Sequence, residues 1–470
     1  MKGNLLPRVW FQRLWSIADD RMGISALVGP ILRHPVPPDA KWAYVFGSAT
    51  LTAFLVQVIT GIGLATTYVS SAGEAYQSLQ FITNEAWFGN LLRGMHFYGA
   101  SAMVLLVGIH AARTFLHGAY KFPREINWLS GVGLLGLTLV MGFTGQLLRW
   151  DQNAIWSVVV GAEQAARAPW VGNALARFLL AGETIGGATL SRFFAFHVFF
   201  VPALIFALVG LHLQLVLHNG ISEMPRAGQP VDPQTYRAWY QRLLAQEGVP
   251  FWPDAAWRDI LFGAAVVVAI VLCAAIFGPP PLDKAPDPSV VSAYPRPDWY
   301  LLWYFAVLAL TPPALENWVI LLAPVLGFAL LLAIPLLSNR GERAPSRRPW
   351  AVGTVGFVAV MIGTLWVAGV QAHWSPDFHP NPLPPAIVGK EQGPIAAGAQ
   401  LFHERGCQNC HQISGYGGQR GPNLTTVGDR LNRDQLTIRI LNGGTNMPPF
   451  ADVLTPDEVT ELVAFLQSRQ

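Results

Sequence analysis

The chain has 470 residues, of which 52% are hydrophobic and only 13% are charged, and it contains 17 tryptophans. This composition is typical of a protein that spans a bilayer and places aromatic side chains at the membrane interfaces. Three cysteines are too few for a disulfide framework. The net charge of +3 points to no particular partner, and we expect no nucleic acid to bind.

The N-terminal part of the chain is predicted to lie on the membrane surface. Residues 5–33 place tryptophan, leucine and arginine at helical spacing, which indicates an amphipathic helix, and we assign residues 1–41 to this segment. Seven apolar stretches follow, each long enough to cross a bilayer as a helix. Their approximate bounds are 42–69, 93–118, 127–149, 192–218, 257–277, 314–337 and 350–372.

Lysine and arginine are concentrated in three segments that fall on one side of a seven-span topology. These are the N-terminal segment, the loop after the second span and the loop after the sixth span. The positive-inside rule places this side in the cytoplasm. We therefore expect a cytoplasmic N-terminus and an external position for the residues after the seventh span. The first strongly apolar run is already a full span, so no cleavable signal peptide is expected.

The second and fourth spans each carry two histidines. His96 and His110 lie fourteen residues apart, and His197 and His212 lie fifteen apart. Ionisable groups at membrane depth are costly and usually functional. Fourteen helical residues separate the first two imidazoles by roughly 21 Å on nearly one face. The two spans run in parallel, so His96 should face His197 and His110 should face His212. The alternative is that these are hydrogen-bonded core histidines.

Arginines and glycines follow the same arrangement. Arg93 and Arg113 lie three residues outside the histidines of the second span and on the same helix face, which suits an acidic group such as a haem propionate. Glycines fourteen residues apart occur in the first span and in the third, at Gly47, Gly61, Gly131 and Gly145. Glycine is common in membrane helices, but it also lets a flat macrocycle approach the backbone. The shared spacing favours a four-helix bundle that holds two haems at two depths.

A short apolar segment follows the fifth span. The twelve residues from Trp299 to Leu310 are too few to cross a bilayer, so we predict an interfacial or re-entrant helix. Asp298 stands at its head. From the residues alone, a solvated loop aspartate is the simpler interpretation.

The C-terminal part of the chain is predicted to be a separate haem-binding domain. Residues 373–393 are rich in proline and should form an extended, stiff linker. Residues 394–470 contain Cys407, Cys410 and His411 in a CxxCH pattern, in which two thiols attach a c-type haem and the histidine ligates its iron. A CxxC pair alone also occurs in redox and zinc sites, although a closed zinc site needs four ligands. Met447 is the predicted second axial ligand, and a core-filling methionine is the alternative.

Several of these motifs together resemble cytochrome b of the quinol-oxidising bc and b6f complexes. They are RGMHFYGASAMVLLVGIHAAR, GFTGQLLRWDQ, the histidine pair of the fourth span, and RPDWY at 296–300. SIADD, FLVQVITG and HNGIS are similar to the b6f branch, with its subunit IV fused on. The resemblance covers residues 10–372, and the C-terminal part resembles a small class I cytochrome c. Val45 departs from a haem-attaching cysteine of that branch, and Arg149 departs from a family proline.

The resemblance implies an all-α fold made of a transmembrane helical bundle and a small helical cytochrome c domain. A di-haem four-helix domain would occupy residues 42–220, and a three-helix domain like subunit IV would occupy 221–372. Asp298 would accept a proton from quinol beside Trp299 and Tyr300. We also expect a quinone site near the inner face, for which the candidate residues are Asp20 and His218. The cofactors would be two non-covalent b haems and one covalent c haem.

The implied function is that of a fused cytochrome b–c subunit of a quinol:cytochrome c oxidoreductase in the bacterial cytoplasmic membrane. It would oxidise quinol at the outer face and pass electrons through the b haems across the membrane, and through the c haem to an acceptor, with coupled proton translocation. The expected partners are a Rieske iron–sulfur protein, a downstream cytochrome c or terminal oxidase, membrane lipid and a second copy in a homodimer. One alternative is a haem-bearing anchor that conducts electrons between a dehydrogenase and quinone without bifurcation. Another is a transporter with structural histidines.

Overall fold

The computed structural model describes residues 6–286, 297–371, 380–389, 392–418, 421–443, 447 and 449–470. The first ten helices are α1 Leu6–Met22, α2 Ile24–Leu32, α3 Phe46–Ala65, α4 Ala75–Asn84, α5 Gly89–Leu116, α6 Glu125–Leu147, α7 Gln152–Ala166, α8 Gly172–Leu180, α9 Gly187–Ala195 and α10 Val201–Asn219. The next ten are α11 Tyr236–Glu247, α12 Ala256–Phe277, α13 Leu302–Leu310, α14 Pro313–Leu337, α15 Pro349–Gln371, α16 Pro385–Val388, α17 Pro394–Glu404, α18 Cys407–Cys410, α19 Arg433–Asn442 and α20 Pro456–Gln467. Strands β1 Pro35–Val36 and β2 Val249–Pro250 pair antiparallel.

Seven of the described helical segments are long and apolar enough to cross a membrane, as predicted. They are Phe46–Ala65, Gly89–Leu116, Glu125–Leu147, Gly187–Asn219, Phe251–Phe277, Ala314–Leu337 and Pro349–Gln371. The apolar segment Trp299–Leu310 is helical but shorter, which also agrees with the sequence. The predicted surface segment forms α1 and α2, which are separated by Gly23 in a left-handed conformation (φ 64°). The chain is therefore an all-α, multi-pass membrane protein.

The chain divides into two compact units, of which the first contains Met1–Arg149, Arg177–Leu282 and Ile320–Val360. Its centre is a bundle in which α3 packs against α5 and α6 packs against α10, while α12 packs against α3 and α5. Small side chains make the α3–α5 contact close, since Ala49 and Ala53 are fully buried beside Leu106. Small residues let membrane helices approach and gain van der Waals contact.

The fourth span contains an irregular turn. Between α9 and α10 the residues Phe196–Phe200 form a π-helical turn, and His197 lies within it. A π turn holds more residues than an α-helical turn and is often found at functional sites. The π turn accommodates one additional residue. The fifteen-residue spacing between His197 and His212 therefore directs both rings towards the inside of the bundle, as the fourteen-residue spacing does in α5.

Two of the three basic segments, the loops after the second and sixth spans, meet at one end of this unit through a buried polar cluster. The guanidinium of Arg343 pairs with the carboxylate of Glu223, whose other oxygen accepts a hydrogen bond from Tyr236 Oη at 2.7 Å. Arg124 donates to the same phenol oxygen at 2.8 Å. Arg348 donates to two carbonyl groups at the end of α5, both at 3.1 Å. These contacts fix the loop after the sixth span against the ends of α5 and α10.

The second unit contains Trp150–Ala176, Asp283–Val319 and Met361–Gln470. Asp151 caps α7 by accepting from the amide of Ala154 at 2.9 Å, and its second oxygen accepts from the amide of Asp283 at 3.1 Å. At the other end of α7, Arg167 forms an ion pair with Glu316 at 2.9 Å. These contacts hold α7 against the segment that precedes the short helix Trp299–Leu310 and against the first turn of α14, which follows that helix.

The C-terminal domain within this unit is built on the crossing of α17 and α20. The rings of Phe402 and Phe465 pack at 5.7 Å between centroids, and both are almost fully buried. Gly398 allows the crossing, because a Cβ there would overlap the carbonyl oxygen of Glu461. Thr455 and Glu458 form a capping box at the start of α20, and this fixes the point at which the preceding loop ends.

The structure differs from the sequence prediction in the segment before this domain. Residues 381–388, predicted as linker, pack on the domain, where Leu383 joins its core and Ile387 lies against it. Arg469 donates to the carbonyl of Val388 at 3.2 Å, and Gln408 donates to that of Asn381 at 2.8 Å. Within the predicted linker of residues 373–393, residues 373–379 and 390–391 lie outside the described residues.

Gly398→Val should destabilise the C-terminal domain, since the added side chain forces α17 away from α20. Overpacking of this kind typically lowers the free energy of unfolding by about 1–3 kcal/mol. Thermal unfolding followed by circular dichroism of the full chain, compared with Gln400→Ala on the exposed side of α17, measures the effect. Equal stability of the two variants would contradict the importance of this crossing.

Candidate functional site

The first pair of span histidines faces each other inside the bundle. The ring centroids of His96 and His197 are 6.2 Å apart, with planes inclined by 76°. Metal–imidazole bonds are about 2 Å long. Two such bonds, together with the distance from each ligating nitrogen to its ring centroid, add up to a centroid separation of about 6 Å. The separation therefore fits one metal ion between the two rings, as in a haem with two axial histidines.

Glycines lie against both rings of this pair. A Cβ added at Gly61 would lie 3.3 Å from Cε1 of His96, and one added at Gly145 would lie 2.5 Å from Cε1 of His197. In the sequence, Gly61 lies fourteen residues after Gly47, and Gly145 lies fourteen residues after Gly131. The structure shows that each lies opposite a histidine, so the backbone of α3 and α6 comes close to the rings where a larger residue would intrude.

The second histidine pair has the same construction. A Cβ added at Gly47 would lie 3.1 Å from Cε1 of His110, and one added at Gly131 would lie 3.6 Å from Cε1 of His212. His110 and His212 also interact electrostatically. The four histidines and four glycines thus come together as two sites, although haem binding at either one stays a prediction.

The arginines predicted to contact propionates differ in their surroundings. Among the described residues, no hydrogen-bond partner is present for the buried Nε and Nη2 atoms of Arg113, and its guanidinium lies 3.6 Å above the ring of Tyr44. An acidic group of a cofactor would satisfy both nitrogens, so this arginine fits the predicted role. Arg93 instead donates to Thr83 at 3.0 Å and to the carbonyl of Pro280 at 2.8 Å, which anchors it to α4 and to the segment that follows α12.

Three hydroxyl groups beside the histidines were missed from sequence. The Nδ1 atom of His96 lies 2.9 Å from Thr60 Oγ1, that of His212 lies 2.9 Å from Ser130 Oγ, and that of His197 lies 3.2 Å from Thr144 Oγ1. Each hydroxyl residue directly precedes one of the glycines. These Thr-Gly and Ser-Gly dipeptides were the feature of the sequence from which the hydroxyl partners could have been predicted.

The two residues suggested for an inner quinone site are both exposed. The side chain of Asp20 is 80% exposed beside Arg21, and His218 is exposed at the end of α10. A more enclosed histidine is His117, which directly follows α5. Burial, with added repulsion from Arg113 and Arg343, lowers the pKa of His117 to about 4, so this imidazole is neutral at physiological pH.

A further polar pair was missed inside the spans. Ser48, next to Gly47, lies 2.8 Å from Oδ1 of Asp259 on α12. A carboxyl group within an apolar span is a candidate functional group by default. The signal available in the sequence was the single aspartate within the fifth apolar stretch.

Asp298 lies half-buried at the head of the short helix Trp299–Leu310. The hydroxyl of Tyr300 donates a hydrogen bond to Asp298 Oδ2 at 3.0 Å, and the rings of Trp299 and Tyr300 meet edge to face at 5.8 Å. Burial and the adjacent carboxylate raise the pKa of Tyr300. The phenol therefore stays protonated and orients the carboxylate.

The CxxCH motif forms one turn of helix in the C-terminal domain. The carbonyl of Pro422 accepts a hydrogen bond from Nδ1 of His411 at 2.8 Å, so the lone pair is on Nε2 and can bind iron. Burial lowers the pKa of this imidazole, which favours the neutral ligand form. A Cβ at Gly421 would lie 2.5 Å from Cε1 of His411.

The alternatives for this motif receive little support from its surroundings. Burial raises the pKa of the Cys407 thiol to about 12, whereas redox-active CxxC motifs lower a thiol pKa. Among the residues that the structure describes, no group of three or more histidine, cysteine or acidic side chains could hold a metal ion. Met447 packs partly buried against the domain core, and its ligation of iron stays a prediction.

Comparisons with known families match three parts of the chain. Residues 31–220 match the family described as Cytochrome b/b6/petB, and residues 285–378 match Cytochrome b(C-terminal)/b6/petD. Residues 393–466 match the family described as Cytochrome C oxidase, cbb3-type, subunit III.

Individual relatives extend these matches. The chain is 38% identical over 219 residues to the menaquinol:cytochrome c reductase cytochrome b subunit of Geobacillus thermodenitrificans, covering 45% of this chain and 97% of the relative. It is 38% identical over 204 residues to cytochrome b6 of Synechococcus elongatus, covering 43% and 95%. A solved structure of a hyperthermophilic respiratory Complex III superposes with a TM-score of 0.63 at 26% identity, covering 83% of this chain and 95% of that chain.

The fold and sites define a multi-pass membrane protein with paired intramembrane histidines and a C-terminal domain that carries a haem-attachment motif. The chain belongs to the cytochrome b/b6 family, and a cbb3-type cytochrome c domain follows at its C-terminus. Both families imply haem cofactors, which agrees with the family prediction made from the motifs.

Pyridine haemochrome analysis should give two b haems and one covalent c haem per chain, because the structure offers two histidine pairs and one CxxCH. His212→Leu should remove one b haem and leave the c spectrum unchanged, since leucine cannot ligate iron. His218→Leu, an exposed histidine on the same helix, should keep the full haem content. A ratio of one b haem to one c haem in the unmodified chain would contradict the assignment of two sites.

Proposed function

We propose that this chain is the cytochrome b–c subunit of a quinol:cytochrome c oxidoreductase that acts with a Rieske iron–sulfur protein and translocates protons. Two b haems and one c haem would supply its one-electron redox chemistry. The observation that carries the proposal is the Asp298 carboxylate, held by Tyr300 at the head of a short apolar helix. The PDWY segment at 297–300 argues against a haem-bearing anchor that only conducts electrons, because it resembles the quinol-oxidising motif of the bc and b6f complexes.

The histidine pairs would ligate the b haems, and the four glycines would leave room for the macrocycles. Arg113 supports this assignment because two of its buried nitrogens have no hydrogen-bond acceptor among the described residues, and a haem propionate would supply one. In the C-terminal domain, His411 and Met447 would ligate the c haem, which Cys407 and Cys410 would attach. The chain thus supplies ligation, orientation and electrostatics to the cofactors.

Asp298 would accept a proton as quinol is oxidised. A general base must lie within hydrogen-bonding reach of the proton it takes, and the half-buried Asp298 carboxylate is oriented by the hydroxyl of Tyr300. Quinol as the substrate is supported by relatives named menaquinol:cytochrome c reductase. Lysine and arginine are concentrated in three segments on one side of the seven-span topology, which supports a cytoplasmic N-terminus; quinol would then be oxidised at the outer face.

Purification of the complex from its native membrane tests the proposal directly. A two-iron Rieske protein should accompany the chain through affinity purification in mild detergent, detected by its iron–sulfur EPR signal. A c-haem-deficient Cys407→Ala variant serves as a control that the association does not depend on the C-terminal haem. A complex with full b-haem content and no iron–sulfur protein would favour the electron-conducting anchor instead.

Asp298→Asn should lower quinol:cytochrome c turnover by about 10² to 10⁴, the usual contribution of a general base, while all haems stay bound. Asp298→Glu should retain much of the activity, because the carboxylate is preserved. Asp283→Asn, at an exposed aspartate of the preceding segment, should leave turnover unchanged. Full turnover in Asp298→Asn would remove this residue from the mechanism, and parallel loss of haem would make its role structural.

A further inference from the structure

Three of the four span histidines share one hydrogen-bonding arrangement. Thr60, Ser130 and Thr144 each place a hydroxyl within 2.9–3.2 Å of a histidine Nδ1. Each hydroxyl residue is followed directly by the glycine that lies against the same ring. The two neighbours act together, because the glycine makes room for the ring and the hydroxyl fixes its rotation.

The direction of these hydrogen bonds follows from the second contact of each hydroxyl. Thr60 donates to the carbonyl of Val56 at 2.6 Å, and Thr144 donates to that of Val140 at 2.9 Å. Ser130 likewise donates to a helix carbonyl at 2.9 Å. A hydroxyl has a single proton to donate, so it accepts from the ring. Each ring is thereby held with its proton on Nδ1 and its lone pair on Nε2.

We propose that Thr60, Ser130 and Thr144 are positioning residues that fix the ligating tautomer of their histidines and lower the reduction potential of the b centres. The inference rests on the proposed function, in which these histidines ligate haem iron. A hydrogen bond accepted from Nδ1–H makes the imidazole more basic at its ligating nitrogen. A more basic ligand favours ferric over ferrous iron, so the one-electron reduction becomes less favourable.

The arrangement is unequal between the two pairs. Both rings of the His96–His197 pair have a hydroxyl partner. In the other pair His212 has Ser130, but the residue before Gly47 is Phe46, which carries no hydroxyl, and the following Ser48 is bonded to the Val45 carbonyl and to Asp259. The hydroxyl groups therefore act on both ligands of the His96–His197 centre and on one ligand of the other.

Redox titration of the b haems in the purified complex tests this inference. Thr60→Val and Thr144→Val keep the side-chain shape but remove the acceptor, and each should raise the potential of one b centre only. The expected change in its ferric–ferrous equilibrium constant is up to about tenfold, which corresponds to about 59 mV for a one-electron couple. Ser130→Ala should raise the potential of the other centre. The EPR signal of the affected ferric haem should shift in each case.

Two further variants separate positioning from general packing effects. Thr138→Val is a matched control, because this buried threonine on α6 bonds only the carbonyl of Leu134 among the contacts described and should leave both potentials unchanged. Thr60→Ser keeps the hydroxyl acceptor and should therefore keep the potential of the unmodified chain. If Thr60→Val loses haem, Thr60→Ser should still bind haem at that potential. Unshifted potentials in all valine variants, or an equal shift in Thr138→Val, would overturn the inference. Absence of b haem from the unmodified chain would overturn the proposed function itself.

Discussion

Polar groups inside an apolar bundle need partners within the bundle, and the four span histidines carry most of that constraint here. Each ring has a close backbone on one side, and three of the four have a hydroxyl partner for Nδ1. In those three cases the hydroxyl and the glycine are neighbouring residues of α3 or α6. At Thr60-Gly61 and Thr144-Gly145 the two requirements are met by one dipeptide. The helices that carry no histidine are therefore as constrained in sequence as those that do.

A second constraint operates at the end of the bundle where the basic loops meet. Glu223 and Arg343 are buried together, and both contact the hydroxyl of Tyr236, which also accepts a hydrogen bond from Arg124. Removing one member of a buried ion pair leaves an uncompensated charge and is strongly destabilising. This cluster joins the loop between the sixth and seventh spans to the four-helix bundle, which holds the part that resembles subunit IV in place within a single chain.

The seven spans and the pairing of histidines were predictable, because span length and the energetic penalty of buried imidazoles are both visible in sequence. The π turn at His197 was not, although a spacing of fifteen instead of fourteen was its trace. The hydroxyl partners of the span histidines were not predicted, because serine and threonine are common in membrane helices and do not by themselves indicate a contact. Proline content predicted an extended linker, whereas the packing of Leu383 depends on contacts with residues far along the chain.

The docking of residues 381–388 onto the C-terminal domain shortens the connection to the membrane. Ten residues separate Gln371, at the end of the seventh span, from Asn381, which is bonded to the domain. A chain of that length extends to about 36 Å at most. On the proposed function, the c domain is therefore present at about millimolar effective concentration. Its reduction would be a unimolecular event whose rate does not fall when the membranes are diluted.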